Sequence, residues 1–250
     1  MKLANLIITV TKAAACGKRI EAVLAMKPEM QSGSLLYTEE KRIPAVEFSN
    51  VSLTYKNAGA PSLSNISFRA MPGETIGIIG GTGAGKSSIV NMIPRFYDAS
   101  EGEVKVFGHD VREYEIESLR SHIGVVPQKA VLFKGTVAEN LHVVDGFLTE
   151  QNGRNLSGGQ RQRMTIARAL VRKPDILILD DSASALDFAT DAALRDAIKN
   201  MKENPTVFLV SQRAASVRYA DRIVVLEDGK AVAVGTHEEL MQNCSDYQEI

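Results

Sequence analysis

The feature that most restricts the fold of this chain is a glycine-rich turn between an aliphatic segment and a helical one. Its residues have the spacing G-x-x-x-x-G-K-S and are Gly80, Gly81, Thr82, Gly83, Ala84, Gly85, Lys86 and Ser87, followed by Ser88. Glycine permits the backbone angles and the close approach that inward-pointing N–H groups need around an anion. A helix that begins near Lys86 directs its positive end at the same anion. The spacing predicts a phosphate-binding loop in which Lys86 contacts the β- and γ-phosphates and Ser87 binds Mg²⁺.

An aspartate at the end of a buried strand supplies the second ligand that a phosphate-bound Mg²⁺ requires. The segment "DILILDD" places Asp180 directly after four aliphatic residues. Ligands of open α/β sheets bind at this carboxyl end of the strands. A strand that ends in aspartate is common, and a glycine-rich turn can lack any function. The two features together, with a strand and a helix around the turn, predict a nucleotide site.

Composition excludes several classes of protein. The 250 residues, 44% apolar and 24% charged, are enough for one substantial core. A formal net charge of -1 provides no basic surface for nucleic acid. Cys16 and Cys244 lack the spacing of a disulfide framework or a zinc site, which favours a reducing, cytosolic setting. The apolar run Leu3–Val10 is shorter than the roughly 20 residues that cross a bilayer, and no cleavage signal follows it. The sequence predicts neither a spanning segment nor export.

Periodicity divides the chain into three parts: residues 1–30, 31–44 and 45–250. The first has helical periodicity up to Pro28, and its apolar stripe either lies on its own domain or belongs against a missing partner. The second is polar, is bounded by prolines and predicts a linker. The third alternates predicted strands with helices such as Ala189–Met201, which indicates an α/β layered domain with a largely parallel sheet. The predicted strands are Val46–Leu53, Thr75–Ile79, Ile123–Val126, Ile176–Leu179 and Thr206–Val210, with a hairpin around Asp228-Gly229.

Leu156–Gln160, "LSGGQ", matches the signature of ATP-binding-cassette (ABC) proteins, and it lies between the glycine loop and Asp180 as in that family. Residues 45–250 resemble the nucleotide-binding domain of multidrug-type ABC exporters. Residues 3–30 resemble the cytosolic end of the last transmembrane helix with its linker. The resemblance implies ATP and Mg²⁺ as ligands. It also implies a P-loop NTPase fold of the ABC type, with a mostly parallel central sheet, an antiparallel β subdomain and a helical subdomain.

The resemblance also implies roles for single residues. Tyr55 matches the aromatic residue that stacks on adenine, although a plain strand tyrosine is the alternative. Gln128 matches the glutamine that reaches Mg²⁺ and couples the site to the membrane domains. Residues 184–187, "SALD", match the loop that crosses to the opposite subunit. Ser157, Gly158 and Gly159 open a helix at Gln160, which predicts a second anion site. Since one domain holds one γ-phosphate, two anion sites imply a head-to-tail dimer with a second nucleotide-binding domain.

Two positions depart from hydrolysing members of the family. Asp181 stands where they have the glutamate that acts as general base, and Gln212 stands where they have the histidine that contacts the γ-phosphate. Aspartate is one methylene shorter, and a displacement of about 1 Å can cost on the order of 10²-fold in rate. Glutamine cannot carry the charge of an imidazolium. The substitutions indicate either neutral drift in an active ATPase or the slow site of a heterodimeric exporter whose intact signature serves a partner.

A third departure is the length of the helical subdomain. Leu156 follows Gln128 by only 28 positions, whereas the family has a much longer segment there. The helical subdomain is therefore expected to be shortened within residues 129–159. A natural deletion, a truncated gene product and a sequence assembled from ordered residues only are three explanations. Each of them leaves the coupling to membrane domains in doubt.

The sequence thus predicts an ATP-binding and ATP-hydrolysing domain of an ABC exporter at the cytoplasmic face of the cell membrane. The expected catalytic residues are Asp181, Gln212, Lys86 and Gln128, and the expected Mg²⁺ ligands are Ser87, Gln128 and Asp180. The expected partners are a second nucleotide-binding domain and the transmembrane domains of an exporter. An essentially non-hydrolysing binding module is one alternative. A soluble ABC protein of DNA repair or translation is another, which the exporter-like first helix and the lack of basic excess disfavour.

Overall fold

A computed structural model describes residues 2–26, 30–38, 42–141, 148–149, 155–182 and 186–250. The chain divides into two compact units, Met1–Gln31 and Ser32–Ile250. The helices are α1 Lys2–Leu24, α2 Lys86–Met92, α3 Ile116–Ser121, α4 Val137–Leu141, α5 Gly158–Val171, α6 Phe188–Lys199, α7 Ala214–Val217, α8 His237–Asn243 and α9 Ser245–Gln248. The strands are β1 Val46–Leu53, β2 Leu63–Ala70, β3 Thr75–Gly80, β4 Glu101–Val106, β5 His109–Asp110, β6 Ile123–Val126, β7 Gly135–Thr136, β8 Leu148–Thr149, β9 Ile176–Asp180, β10 Thr206–Ser211, β11 Arg222–Glu227 and β12 Lys230–Gly235.

The first unit consists mainly of α1, as its helical periodicity predicts. Its apolar side chains are exposed, among them Leu3, Ile7 and Ile20. None of the helices in the described part of the chain combines the length and the apolar character needed to cross a membrane.

The second unit contains the predicted mostly parallel sheet, in the strand order β12-β11-β3-β10-β9-β6. All neighbouring pairs are parallel except β11 and β12, which form the antiparallel hairpin predicted around Asp228-Gly229. The five predicted strands are confirmed. Four of them lie in this sheet, where short aliphatic runs such as Ile176–Leu179 are buried. The fifth, Val46–Leu53, lies instead in an antiparallel sheet and has an alternating burial pattern. Because β3, β9 and β10 are parallel, their carboxyl ends lie at one edge of the central sheet.

A second, antiparallel sheet has the order β2-β1-β4-β5 and packs on one face of the central sheet. The stacked rings of Phe48 and Phe68, with centroids 4.7 Å apart, belong to the core between the two sheets, together with Phe208. A separate cluster of buried side chains, which includes Leu177 and Val225, forms the core on the other face. The expectation of an ABC-type α/β fold with an antiparallel β subdomain is confirmed.

Part of the segment predicted as a linker is bound to the second unit. The N–H groups of Gly33 and Leu35 donate to the carbonyls of Tyr114 and Glu113, at 2.9 Å each. The Glu115 N–H donates back to Leu35 at 2.8 Å. A Cβ atom on Gly33 would lie 2.0 Å from the Glu113 carbonyl oxygen, so only glycine allows this approach. Residues 33–35 of the polar segment therefore pair with the backbone of residues 113–115 through an isolated bridge between Leu35 and Tyr114.

Candidate phosphate-binding site

The glycine loop connects the end of β3 to the start of α2, as the sequence predicts. Gly83 and Gly85 have φ values of 85° and 96°, which residues with a side chain rarely adopt. A Cβ atom on Gly85 would lie 2.5 Å from Leu63 Cδ2. Both the backbone angles and the packing therefore require glycine at position 85, and the loop can turn directly into the helix.

Lys86 is buried inside the loop. Its Nζ donates to the carbonyl oxygens of Gly80 at 2.8 Å and Gly81 at 2.6 Å. Burial lowers the pKa of the Lys86 ammonium, while the charges of Asp181 and Asp180 oppose this shift. A partly desolvated cation attracts an anion more strongly than the same cation in water.

Ser87 and Asp180 meet across the base of the loop. The Ser87 hydroxyl donates to Asp180 Oδ1 at 3.0 Å, which brings the start of α2 to the end of β9. Burial raises the pKa of the Asp180 carboxyl, and so does the charge of Asp181, while the Ser87 hydrogen bond and the Lys86 charge lower it. Burial is the largest of these effects, so a cation bound beside the Asp180 carboxylate would stabilise its ionised form.

This pair fits Mg²⁺. A hydroxyl and a carboxylate are the hard oxygen ligands that Mg²⁺ prefers, and Mg²⁺ usually keeps water and phosphate oxygens as its other ligands. Within the described residues, no group of three or more His, Cys, Asp or Glu side chains could hold a metal ion. Ser87 and Asp180 would thus hold Mg²⁺ jointly with phosphate oxygens, and the ion would supply charge neutralisation when bound.

Asp181 turns away from the strand in a left-handed conformation, with φ of 45°. Aspartate tolerates this region better than most residues because its short side chain interacts with the local backbone. The Asp181 N–H donates to the Val210 carbonyl at 3.0 Å. Its Oδ2 accepts a hydrogen bond from Nε2 of Gln128, which follows β6, at 3.1 Å. The residues expected as general base and as Mg²⁺-reaching glutamine are therefore in direct contact.

Gln212 follows β10, beside the glycine loop. The Thr82 hydroxyl donates to Gln212 Oε1 at 3.4 Å, and both residues are exposed. The residue expected to sense the γ-phosphate thus contacts the loop predicted to hold the phosphates.

Tyr55 also lies against the glycine loop. Its hydroxyl and that of Ser88 are 2.8 Å apart and share a hydrogen bond. Its ring meets Tyr97 edge to face, with centroids 4.9 Å apart. Sequence reasoning missed Tyr97, although its place shortly after α2 marks it as an aromatic neighbour of the loop. Tyr55 and Tyr97 together present aromatic surface beside the predicted phosphate site.

The signature residues form the N-terminus of α5, which begins at Gly158, two residues earlier than predicted. Ser157 caps the helix: its hydroxyl accepts from the Gln160 N–H at 3.2 Å, and the Gln160 side chain accepts from the Ser157 N–H at 2.8 Å. This reciprocal capping box fixes the start of the helix. Residues 184 and 185 of the predicted crossing loop lie outside the described residues. Asp187, its last residue, caps α6 by accepting from the Thr190 N–H at 2.9 Å.

Known proteins share this fold and these sequence features. Residues 63–184 match the ABC transporter family. The chain is 34% identical to an ATP-dependent lipid A-core flippase of Vibrio vulnificus, across 99% of this chain and 47% of the flippase. It is 38% identical to the ABC transporter ATP-binding protein YfiB of Bacillus subtilis, across 98% of this chain and 47% of that protein. The chain thus spans about half the length of the curated relatives that it matches.

A solved structure agrees with these matches. A bacterial Atm1-family ABC exporter with ATP bound has a TM-score of 0.86 and 27% identity, across 96% of this chain and 47% of that chain. The signature at the start of α5 and the glycine loop joined to Asp180 are features of the same family. The chain is an ABC-type ATP-binding domain, homologous to those of lipid A-core flippases and Atm1-family exporters.

Proposed function

We propose that this domain binds ATP with Mg²⁺ and hydrolyses it slowly, as the nucleotide-binding part of an exporter at the cytoplasmic face of a membrane. The observation that carries the proposal is the 3.0 Å hydrogen bond between Ser87 and Asp180, beside the buried Lys86. It joins a phosphate-binding loop to a carboxylate at the edge of the sheet where nucleotides bind in such folds.

Binding is assigned to the loop and its neighbours. The backbone N–H groups of Gly80–Ser88 and the Lys86 ammonium hold the phosphates, and Tyr55 contacts the adenine. Mg²⁺ is held by Ser87 and Asp180, with Gln128 at its edge. Short hydrogen bonds support this assignment. The side chains of Lys86, Ser87 and Tyr55 each form one of 3.0 Å or less, either within the loop or between the loop and neighbouring residues.

Slow hydrolysis follows from the residues at the two chemical positions. The Asp181 carboxylate ends one methylene closer to the backbone than a glutamate would, and Gln128 already occupies one of its oxygens at 3.1 Å. A general base must reach the proton that it abstracts within hydrogen-bond distance. Gln212 can donate a hydrogen bond to a γ-phosphate but adds no positive charge. Both substitutions reduce the rate of turnover more than the affinity for ATP.

We further propose that the partner is a second, different nucleotide-binding domain. Ser157, Gly158, Gly159 and Gln160 present a capped helix start with backbone N–H groups, which suits an anion held by another chain. An intact signature, together with substitutions at the two positions expected to carry out hydrolysis, fits a heterodimer in which the partner's nucleotide site hydrolyses ATP. Neutral drift in a homodimer is the competing explanation.

A shortened helical subdomain is part of the same proposal. The alignment with the Vibrio vulnificus flippase runs over 277 positions, more than the 250 residues of this chain. The relative therefore has residues that this chain lacks. We place the deletion between Gln128 and Leu156 because only 28 positions separate these two motifs. Since the family grips its transmembrane domains through that segment, coupling to the membrane is expected to be weak.

A second candidate function is a binding module that holds ATP without hydrolysing it and completes the active site of a partner. The contact between Gln128 and Asp181 favours it, because it engages the expected base in a protein hydrogen bond. In this case ATP acts only as a bond between two domains.

Phosphate release and ATP binding, measured side by side, separate these functions. We expect the unmodified chain to bind ATP and to release phosphate slowly. The double variant Asp181→Glu, Gln212→His should release phosphate at least tenfold faster, and up to the order of 10²-fold that a 1 Å displacement costs. A fast unmodified homodimer would contradict the slow-site proposal. ATP binding with no phosphate release from either chain would favour the binding module.

A further inference from the structure

A cavity of about 520 Å³ lies beneath α6, away from the glycine loop. Its walls come from α6, from β9 and β10 and from the segment around α7. About half of the side chains that line it are apolar, among them Leu179, Leu194, Val207 and Leu209. The volume falls in the range of small-molecule sites, roughly 300–1,000 Å³, and such sites combine apolar walls with a few polar groups.

One polar group in the wall lacks a partner. Ser182 lines the cavity with only 1% of its surface exposed, and among the described residues its hydroxyl has no hydrogen-bond partner. Buried hydroxyls are nearly always hydrogen-bonded, and an exception calls for an explanation. A ligand group that reaches this hydroxyl from the cavity would supply the missing hydrogen bond.

Three of the charged residues that line the cavity have partners within the protein, and two others, Asp196 and Lys199, are exposed to solvent. Arg195 forms an ion pair with Asp191 and stacks over the ring of Tyr219, 4.9 Å from its centroid. The Asp221 carboxylate accepts a hydrogen bond from the Thr75 N–H at 2.7 Å. Because these charges are either paired within the protein or exposed to solvent, the cavity favours an uncharged ligand.

We propose that this cavity binds a neutral amphipathic small molecule, with an aromatic or aliphatic body and one polar group that hydrogen-bonds to Ser182. The site is separate from the nucleotide site, but the two share a strand. Leu179 and Ser182 line the cavity, and the residues between them, Asp180 and Asp181, face the glycine loop and Gln128. The ligand therefore lies directly behind the two carboxylates.

The neutral fluorophore N-phenyl-1-naphthylamine, which has two aromatic groups and a single N–H, is a suitable probe. Its fluorescence is titrated against the full chain without nucleotide, so the result does not depend on ATP binding. Ala192 on α6 lines the cavity, whereas the adjacent Ala193 is exposed and does not. We expect Ala192→Phe to fill the cavity and weaken probe binding at least tenfold. Ala193→Phe, the matched control, should leave the affinity unchanged.

A milder variant tests the role of the hydroxyl. We expect Ser182→Ala to weaken binding of the probe about two- to tenfold, the value of one hydrogen bond. Circular dichroism establishes that each variant is folded. Any binding to the exposed apolar side chains of α1 is common to all variants. Equal affinities for the unmodified chain, Ala192→Phe and Ser182→Ala would overturn the proposal, as would no saturable binding to the unmodified chain.

Discussion

The two halves of the candidate site are built differently. In the half predicted to hold the phosphates, Lys86 is buried, Ser87 and Asp180 are partly buried, and the hydrogen bonds of Lys86 and Ser87 span 2.6–3.0 Å. In the half predicted to carry out hydrolysis, Gln128 and Gln212 are exposed, and their hydrogen bonds span 3.1 and 3.4 Å.

This difference shows which side chains of the site are positioned by the packing of the fold. Lys86, Ser87 and Asp180 lie at the ends of regular elements, so their positions follow from the packing of α2 and β9 in the core. Gln128 and Gln212 lie just beyond strand ends, where exposed side chains adjust at little cost. Affinity for nucleotide should therefore depend on the first half, and the rate of turnover on the second.

The largest effect is expected from Lys86→Ala. Removing the ammonium eliminates charge-assisted hydrogen bonds to phosphate, each of which contributes about 1.5–3 kcal/mol. Affinity for ATP should fall on the order of 10²-fold in equilibrium binding measurements. Lys105→Ala, which removes a lysine paired with Glu103 on the antiparallel sheet, is the control and should bind as the unmodified chain does. Equal losses of ATP affinity in the two variants would show that Lys86 has no specific role in binding ATP.

The next effect concerns the aromatic contact. Tyr55→Ala should weaken ATP binding about tenfold, because stacking of a base on an aromatic ring contributes about 1–3 kcal/mol. Tyr55→Phe keeps the ring and loses only the hydrogen bond to Ser88, so the loss should be smaller. The two variants form their own control. A larger loss for the phenylalanine variant would assign Tyr55 to loop structure instead of adenine binding.

Asp180→Asn should affect stability and binding in opposite directions. Burial raises the pKa of Asp180, so the folded state disfavours the ionised carboxyl, and its contribution to stability decreases as pH rises through that pKa. At neutral pH the variant should therefore melt at a higher temperature without nucleotide, by about 2–4 °C for each kcal/mol of stability gained. The same variant should lose the effect of Mg²⁺ on ATP affinity.

The pH dependence provides the control for Asp180→Asn. Well below pH 3.8, the ordinary pKa of an aspartate, the carboxyl is protonated in both the folded and the unfolded state, and the gain in melting temperature should disappear. Asp228→Asn, at an exposed turn position, should show no gain at either pH. A lower melting temperature for Asp180→Asn at neutral pH would mean that its ionised form stabilises the fold.

The smallest effect is expected from Thr82→Val. The exposed 3.4 Å contact with Gln212 is at the limit of a hydrogen bond, so its loss should change ATP affinity less than about twofold. Ser87→Ala, which removes the contact with Asp180, should reduce the affinity more. If the valine variant were the weaker binder in parallel titrations, the division between the two halves would be wrong.

Local patterns were sufficient to predict most of the fold. The five predicted strands, the Asp228-Gly229 hairpin and the glycine loop each carry their signal within about ten residues, and the structure contains all of them. The motifs also located the parts of the site. The contacts within it were not predictable, because Gln128 and Asp181 are 53 positions apart in the sequence, and Thr82 and Gln212 are 130 apart.

Two further features that the sequence did not predict have the same origin. The docking of residues 33–35 depends on the backbone of Glu113 and Tyr114, which no property of the polar segment indicates. The cavity beneath α6 depends on how far the helix lies from the sheet. Both depend on tertiary packing, which the periodicity of the sequence does not indicate.

The central claim is that the loop from Gly80 to Ser88 and Asp180 form one site for ATP with Mg²⁺. Calorimetric titration of the chain with ATP, with Mg²⁺ and then with a chelator, tests it most directly. We expect saturable binding of one ATP per chain that weakens when Mg²⁺ is removed. No heat of binding in the presence of Mg²⁺, or an affinity that does not respond to the metal, would contradict it.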